Sequence, residues 1–299
     1  MTQELYFYIQ YSNITTPNKA QIVSTSGKVI SIILEAKNPL ENVTIGTSEY
    51  SSLRANDGKE LKTRLIKPSN FDPSKKYPVF MFQYSGPGSQ QVVNQWNGIN
   101  DFWFTMLAQQ GYIVACVDGR GTGFKGAAFK KCTQKELGKY EVEDQIDAAK
   151  VIGKYNYIDA SRIGIFGWSY GGFMSSNCLF QGADVFKMAI AVAPVTSWRY
   201  YDSIYTERYM QTPQENASGY DNNSPINHVS KLKGNFLLIH GTADDNVHVQ
   251  NTMKMVEALV QANKQFDWAI YPDKNHGIYG GKTRLQLYTK MTNFIKEKL

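Results

Sequence analysis

Ser169 lies in the pentapeptide Gly167-Trp168-Ser169-Tyr170-Gly171, inside the stretch RIGIFGWSYGGFM. A serine hydroxyl is a weak nucleophile until a base takes its proton and donors receive the charge that develops on the attacked carbonyl. The pattern G-x-S-x-G offers the start of such a set. It marks a sharp strand-to-helix corner that lifts the hydroxyl clear of a sheet and aims the following backbone N–H at the oxyanion. Residues 163–166 read as a short buried strand and residues 172–180 as a helix, which puts Ser169 on the corner. The corner residue must accept a strained backbone, and glycines two positions either side let strand and helix approach. A chance Gly-Ser turn would need neither the strand before it nor the helix after it.

A base and an acid should follow in the order Ser, acid, His, on loops past later strands. The chain has only four histidines. His276 lies on the Gly-flanked loop DKNHGIYGG after the strand FDWAIYP and is the expected base. His240 ends a strand and His248 begins a helix, so both read as structural, and His228 lies in a loop upstream of the acid. The acid is expected at Asp244 in TADDNVH, on the turn just past the strand NFLLIHG. Asp245 would point the other way and cap the following helix. Asp273 shares its loop with the base. In this arrangement His276 takes the Ser169 proton, while Asp244 fixes its tautomer and stabilises the imidazolium.

An oxyanion needs two donors. The Tyr170 backbone N–H is one, and the stretch FMFQYSGPGSQ places Tyr84 at a strand end where its phenol can serve as the second. A buried core tyrosine is the alternative. GTGFKG, residues 121–126, satisfies G-x-G-x-x-G after a strand, but no helix opens at once and the motif is mid-chain, so a dinucleotide site is not expected. HGTADDNVH lacks the spacing that puts two ligands on one helix face, so neither a metal nor any other cofactor is expected.

These residues need a scaffold. At 299 residues and 42% hydrophobic content the chain can build a sizeable core. From 32 basic and 26 acidic residues it carries a formal charge of +6, with no dense Lys/Arg run of the kind nucleic-acid binding requires. Cys116, Cys132 and Cys178 form no C-x-x-C pair, and Cys116 and Cys178 fall in apolar segments that suit burial. No apolar run approaches the roughly 18 residues a spanning helix needs, and no signal-peptide pattern opens the chain. Residues 1–48 read as a three-strand meander, LYFYIQYSN, KAQIVSTSG and KVISIILEA, the first two separated by ITTPN. From residue 49 the pattern is a hairpin at Asn56-Asp57-Gly58, then strands PVFMFQY, GYIVACVDG, RIGIFG, KMAIAVAP, NFLLIHG and FDWAIYP alternating with helices. Those helices are expected over residues 95–110, 139–154, 250–262 and from 282. Such alternation implies an α/β fold with a mostly parallel sheet covered on both faces, of the α/β-hydrolase type.

The stretches YSGPGSQ, DGRGTGFKG, EVEDQIDAAK, GWSYGG, AVAPVTSWRYYDSIYTERYM and HGTADDNVH, in that order, make the region from residue 49 onward resemble the catalytic domain of the prolyl oligopeptidase family. The resemblance implies a serine peptidase that releases dipeptides by cleaving after proline or alanine near a peptide's N-terminus, with tripeptidyl-releasing and acyl-peptide hydrolase relatives as alternatives and a non-catalytic interaction module as a rival of another class. It assigns Tyr84 to the oxyanion. It maps a proline pocket onto Tyr170, Val195, Trp198, Tyr201, Tyr205 and Val247, with Asn246 near the preceding carbonyl. It further implies a β-propeller, of which residues 1–48 would be the last blade and which would hold the substrate's amino terminus, so that the chain is expected to be a fragment. A homodimer and a periplasmic or cell-envelope location are implied by resemblance alone.

Overall fold

The protein is described by a computed structural model covering residues 5–96 and 100–299. Three antiparallel strands come first: β1 (Tyr6–Asn13), β2 (Thr16–Ser24) and β3 (Val29–Glu35), in the order β1-β2-β3. The spacer expected between the first two strands is shorter than ITTPN, because β2 already begins at Thr16. The Asn13 side chain closes that tight turn by accepting from the backbone N–H of Thr15 and Thr16. Pro17, Ala20 and Val23 of this sheet are buried and Ile22 half-buried, but other large apolar side chains, among them Phe7, Tyr8, Ile32 and Ile33, stand exposed.

The rest of the chain supplies β4 (Ser48–Arg54), β5 (Glu60–Ile66), β6 (Tyr77–Phe82), α1 (Asp101–Gln109), β7 (Ile113–Asp118), α2 (Ala127–Lys131), α3 (Lys139–Ile152), β8 (Ile158–Trp168) and α4 (Tyr170–Gln181). It continues with β9 (Met188–Val192), α5 (Ser203–Met210), α6 (Ala217–Asn222), β10 (Asn235–Gly241), α7 (Gln250–Gln261), β11 (Asp267–Tyr271) and α8 (Thr283–Lys298). The helix expected over 95–110 is shorter, starting at Asp101, and residues 97–99 lie outside the described residues. The short helices α2, α5 and α6 carry no long apolar period and were not foreseen. The strands β4 to β11 form one eight-stranded sheet in the order β11-β10-β9-β8-β6-β7-β5-β4. All pairings from β11 through β7 are parallel, and only β5 with β7 and β4 with β5 are antiparallel.

Side chains alternate across a strand with period two, so a sheet covered twice has two cores. In β6, Val79 and Met81 face the core that also holds Phe173, Leu179 and Met255 from α4 and α7. Phe80 and Phe82 face the opposite core with Phe104, Leu107, Leu287 and Met291 from α1 and α8. This is the α/β-hydrolase architecture read from the sequence. It brings the carboxyl ends of β6, β8, β10 and β11 to one edge. Cys116 and Cys178 are buried, Cys132 is half-buried, and none of the three forms a disulfide.

Candidate active site

Ser169 occupies the corner between β8 and α4 with φ 61° and ψ −121°. Such a backbone is costly for a residue with a side chain and persists only where its surroundings over-determine it. Here they do: the Ser169 N–H donates to the Val192 carbonyl of β9 at 2.8 Å, and the Ser169 carbonyl accepts from Phe173 N–H at 3.0 Å. The flanking glycines are required sterically. A Cβ on Gly167 would lie 2.1 Å from the Gly171 carbonyl oxygen, and one on Gly171 would lie 2.6 Å from the Gln83 carbonyl oxygen. Gln83, just past β6, returns the contact by donating its side-chain amide to the Gly171 carbonyl at 2.9 Å.

Tyr84 follows at the mouth of that strand, half-buried. Burial raises its phenol pKa, and the adjacent Ser169 side chain opposes that shift. The next loop turns through Ser85 and Gly88, both at positive φ, and is braced by the residues of GTGFKG. Gly88 N–H donates to the Gly121 carbonyl and Gly123 N–H to the Ser89 carbonyl, at 2.9 and 2.8 Å. A Cβ on Gly123 would meet the Gly88 carbonyl oxygen at 2.7 Å. Gly123 therefore serves close packing against the Tyr84 loop.

The acid and the base are joined by two interlocked loops. Gly241 ends β10 so close to the 272–277 loop that a Cβ there would sit 2.2 Å from the Lys274 carbonyl oxygen. Ala243 N–H then donates to that carbonyl at 3.0 Å, and Asp273 N–H to the Thr242 hydroxyl at 2.9 Å. This lock brings Asp244 Oδ2 within 2.7 Å of His276 Nδ1. Asp244 is buried, and its Oδ1 accepts from the backbone N–H of Asn246 and Val247 at 3.0 and 2.9 Å. Burial alone would raise its pKa, but hydrogen bonds from His240 and His276 and the amides beside it hold the carboxyl well below the usual range. These contacts thus favour the ionised form of Asp244.

Asp245 is exposed and does not cap α7, whose N-cap position is Val249 with no side-chain hydrogen bond, contrary to the sequence expectation. The cap is absent because α7 opens only at Gln250, beyond the reach of Asp245. Asp273 takes part in the loop lock through its backbone N–H, and it is Asp244 that pairs with the imidazole. His240, read as structural, is a neighbour of the acid that sequence reasoning undervalued. Fully buried, it contacts Asp244 Oδ2 at 3.2 Å through Nε2, and it is fixed by the Val247 carbonyl and the Thr252 hydroxyl, each at 2.7 Å. Its position four residues before Asp244, at a strand end, was the available signal.

Tyr170, Val195, Trp198, Tyr201, Tyr205, Asn246 and Val247 do assemble. Val195, Val247, Trp198 and Tyr170 are buried, and Tyr201 and Tyr205 half-buried. Trp198 lies 5.4 Å from the Tyr170 ring, 5.9 Å from Tyr201 and 6.0 Å from Tyr205, and Tyr84 packs 5.9 Å from Tyr170. The Tyr201 hydroxyl donates to the Asn246 side-chain oxygen at 2.7 Å. Burial pushes the Tyr201 phenol up to about 12 and Tyr205 further, so both stay neutral. The Tyr170 hydroxyl donates to Glu141 Oε1 at 2.8 Å. Glu141 is fully buried on α3 and takes the Gly138 N–H on its other oxygen at 3.1 Å. Burial lifts its pKa to about 7.

Ser169 and His276 open onto one cavity of about 280 Å³. Trp168 borders it, anchored by donation from its indole N–H to the His276 carbonyl at 2.9 Å. A serine hydroxyl, an imidazole and an ionised carboxylate gathered in this way are the groups that general-base activation of a hydroxyl and protonation of a departing amine require.

Residues 100–299 match the profile of the prolyl oligopeptidase family. The probable dipeptidyl-aminopeptidase B of Trichophyton verrucosum is 45% identical over 283 residues, which are 92% of this chain and 31% of that protein. The probable dipeptidyl-aminopeptidase B of Aspergillus terreus is 42% identical over 97% of this chain and 32% of its own length. Among solved structures, Porphyromonas gingivalis dipeptidyl peptidase 4 superposes with a TM-score of 0.94 at 47% identity, covering 99% of this chain and 43% of that one. A putative dipeptidyl aminopeptidase IV from Bacteroides ovatus gives 0.93 at 36% identity, over 98% of this chain and 42% of its own. The chain spans about a third of the length of the curated relatives it matches.

Proposed function

The chain belongs to the prolyl oligopeptidase family, and from that premise we propose that it is the catalytic portion of a serine peptidase that cleaves peptides after proline or alanine and releases dipeptides. The observation that carries the reading is the 2.7 Å Asp244–His276 pair opening onto the same cavity as a serine held at φ 61°. In this reading His276 removes the Ser169 proton as Oγ attacks the scissile carbonyl. The oxyanion takes hydrogen bonds from the Tyr170 N–H and the Tyr84 hydroxyl, aimed where charge develops. His276 then returns the proton to the departing amine, leaving an acyl group on Ser169, and the same base activates the water that releases it. His240 acts as a positioning residue by holding Asp244.

Tyr170, Val195, Trp198, Tyr201, Tyr205 and Val247 would receive the residue before the scissile bond. A flat pyrrolidine fits between ring faces, whereas a long side chain has no polar exit there. Residues 49–299 form the hydrolase domain in this reading, and residues 1–48 are the remnant of a β-propeller blade, a role that the exposed apolar side chains of β1 and β3 suit. The family's exported location goes with it. The test is kcat/KM of the 299-residue chain on Gly-Pro against Gly-Leu p-nitroanilide. A preference for proline of at least about tenfold is expected, the scale of discrimination a shaped apolar pocket provides. Equal rates, or a preference for leucine, would sink the pocket assignment.

A further inference from the structure

Ser169 has two neighbourhoods of different character. One is the aromatic group around Trp198, which begins at the adjoining Tyr170. The other is the 280 Å³ cavity, bordered by Tyr84, Gln91, Trp168, His276, Arg284 and Tyr288, and no residue lining it is acidic. Arg284 comes from the first turn of α8. Its guanidinium carbon lies 5.1 Å from the centre of the Trp168 ring, and its Nη1 is 3.5 Å from the Tyr288 hydroxyl. Tyr288 in turn donates to the Asn100 side chain. The guanidinium is therefore held on the indole of the residue preceding the nucleophile, and among the described residues it forms no ion pair with a carboxylate. A planar cation with unspent donors on a ring face is suited to bidentate capture of a carboxylate.

We propose that this cavity receives the leaving-group side of the substrate, and that Arg284 favours leaving groups carrying a carboxylate. The carboxylate can be an acidic side chain directly after the scissile bond or the terminus of a tripeptide. The inference rests on the reading of Ser169 and His276 given above. His276 returns a proton to the departing amine, so that amine must lie against His276, which borders this cavity. The acyl side is already filled by the aromatic pocket. Arg284 is exposed, and a pair between solvent-accessible charges changes an equilibrium by only about two- to fivefold. The selectivity should be of that size and should fade with salt.

Acyl transfer tests the leaving-group side directly. The full chain is acylated with acetyl-Gly-Pro p-nitrophenyl ester, and the acyl-enzyme is offered competing amines. In each capture the bond from the acyl carbon to Ser169 Oγ breaks, the bond to the amine nitrogen forms, and the amine's proton returns to Ser169. Glutamic acid amide reports the side-chain carboxylate against glutamine amide and lysine amide, and free glycine reports the terminal carboxylate against glycine amide. Product ratios are read by mass spectrometry. We expect capture of glutamic acid amide two- to fivefold above glutamine amide and of lysine amide below it, with the bias lost in 1 M salt, a concentration at which the Debye length is about 3 Å, and in Arg284→Gln. A bias with glycine over its amide but not with glutamic acid amide would assign the terminal carboxylate alone. Capture absent or indifferent to charge, with p-nitrophenol released, would overturn the inference and leave the serine reading intact. The salt series on the unaltered chain decides the matter even if Arg284→Gln fails to fold. No p-nitrophenol above a Ser169→Ala control would overturn the serine reading and the inference with it.

Discussion

At the scale of residues, the parts with a mechanical reason to exist were legible in the sequence. Gly167 and Gly171 mark a corner that only glycine can build, so Ser169 could be found without coordinates, and Asp244 and His276 follow from where strands end. Tyr84 was less determined, because a phenol at a strand end serves equally as packing. Its half-buried position next to the Ser169 side chain favours the donor role. Tyr84→Phe is therefore expected to lower kcat by about 10² to 10³, the usual cost of one oxyanion donor, with little change in thermal stability. An unchanged kcat with a lowered melting temperature would make Tyr84 a core residue instead. His240 was legible only through its spacing of four residues from Asp244, and Arg284 was not legible, because only the fold brings it onto the Trp168 ring.

Among the elements, the apolar strands, down to β9 and β11 of five residues, were read from the sequence, and the short helices were not. Strands with alternate faces in two cores, such as β6, announce themselves. By contrast α2 and α6, of five and six residues, are held by tertiary contacts rather than by a period. The helix α3 shows why EVEDQIDAAK resists a simple amphipathic reading. Its buried face mixes Val142, Ala148, Ala149 and Ile152 with polar side chains: Asp144 pairs with Arg120 at 2.6 Å, Gln145 donates to the Val117 carbonyl at 2.9 Å, and Glu141 accepts from Tyr170. Glu141 titrates at about 7 in the folded protein against 4.5 as its ordinary value, chiefly through burial. Between those values the folded state binds the proton that the unfolded chain has released. The stability that protonated Glu141 contributes is thus complete below the lower value and is lost as pH rises through the upper one. Glu141→Gln removes this titration. Urea midpoints of the parent should fall more steeply than those of the variant as pH goes from about 5 to 8. Parallel pH profiles would show that Glu141 is already ionised in the fold.

For the whole molecule, the α/β-hydrolase scaffold was read from the alternation of strands and helices, and the β-propeller from family resemblance alone. A three-stranded sheet with Phe7, Tyr8, Ile32 and Ile33 exposed buries too little to stand by itself. Such a surface is also expected to make the chain associate at micromolar concentration. If the anchor for the substrate ammonium lies on further chain, the 299 residues keep the bond-breaking groups but lose the device that measures from the amino terminus. Gly-Pro p-nitroanilide and its N-acetyl form should then be cleaved with similar kcat/KM. A strong preference for the free amine would instead assign the anchor to this chain, and Asp202 and Asp245, which share a recess with Tyr201 and Asn246, would be its seat. The claim on which the rest depends is that Ser169 is an activated nucleophile. Its most direct test is reaction of the intact chain with a fluorophosphonate, with the modified residue identified by peptide mass spectrometry. The account predicts a single adduct on Ser169, formed at a rate that falls sharply in His276→Ala. No adduct, an adduct elsewhere with Ser169 free, or an equal rate in that variant would contradict it.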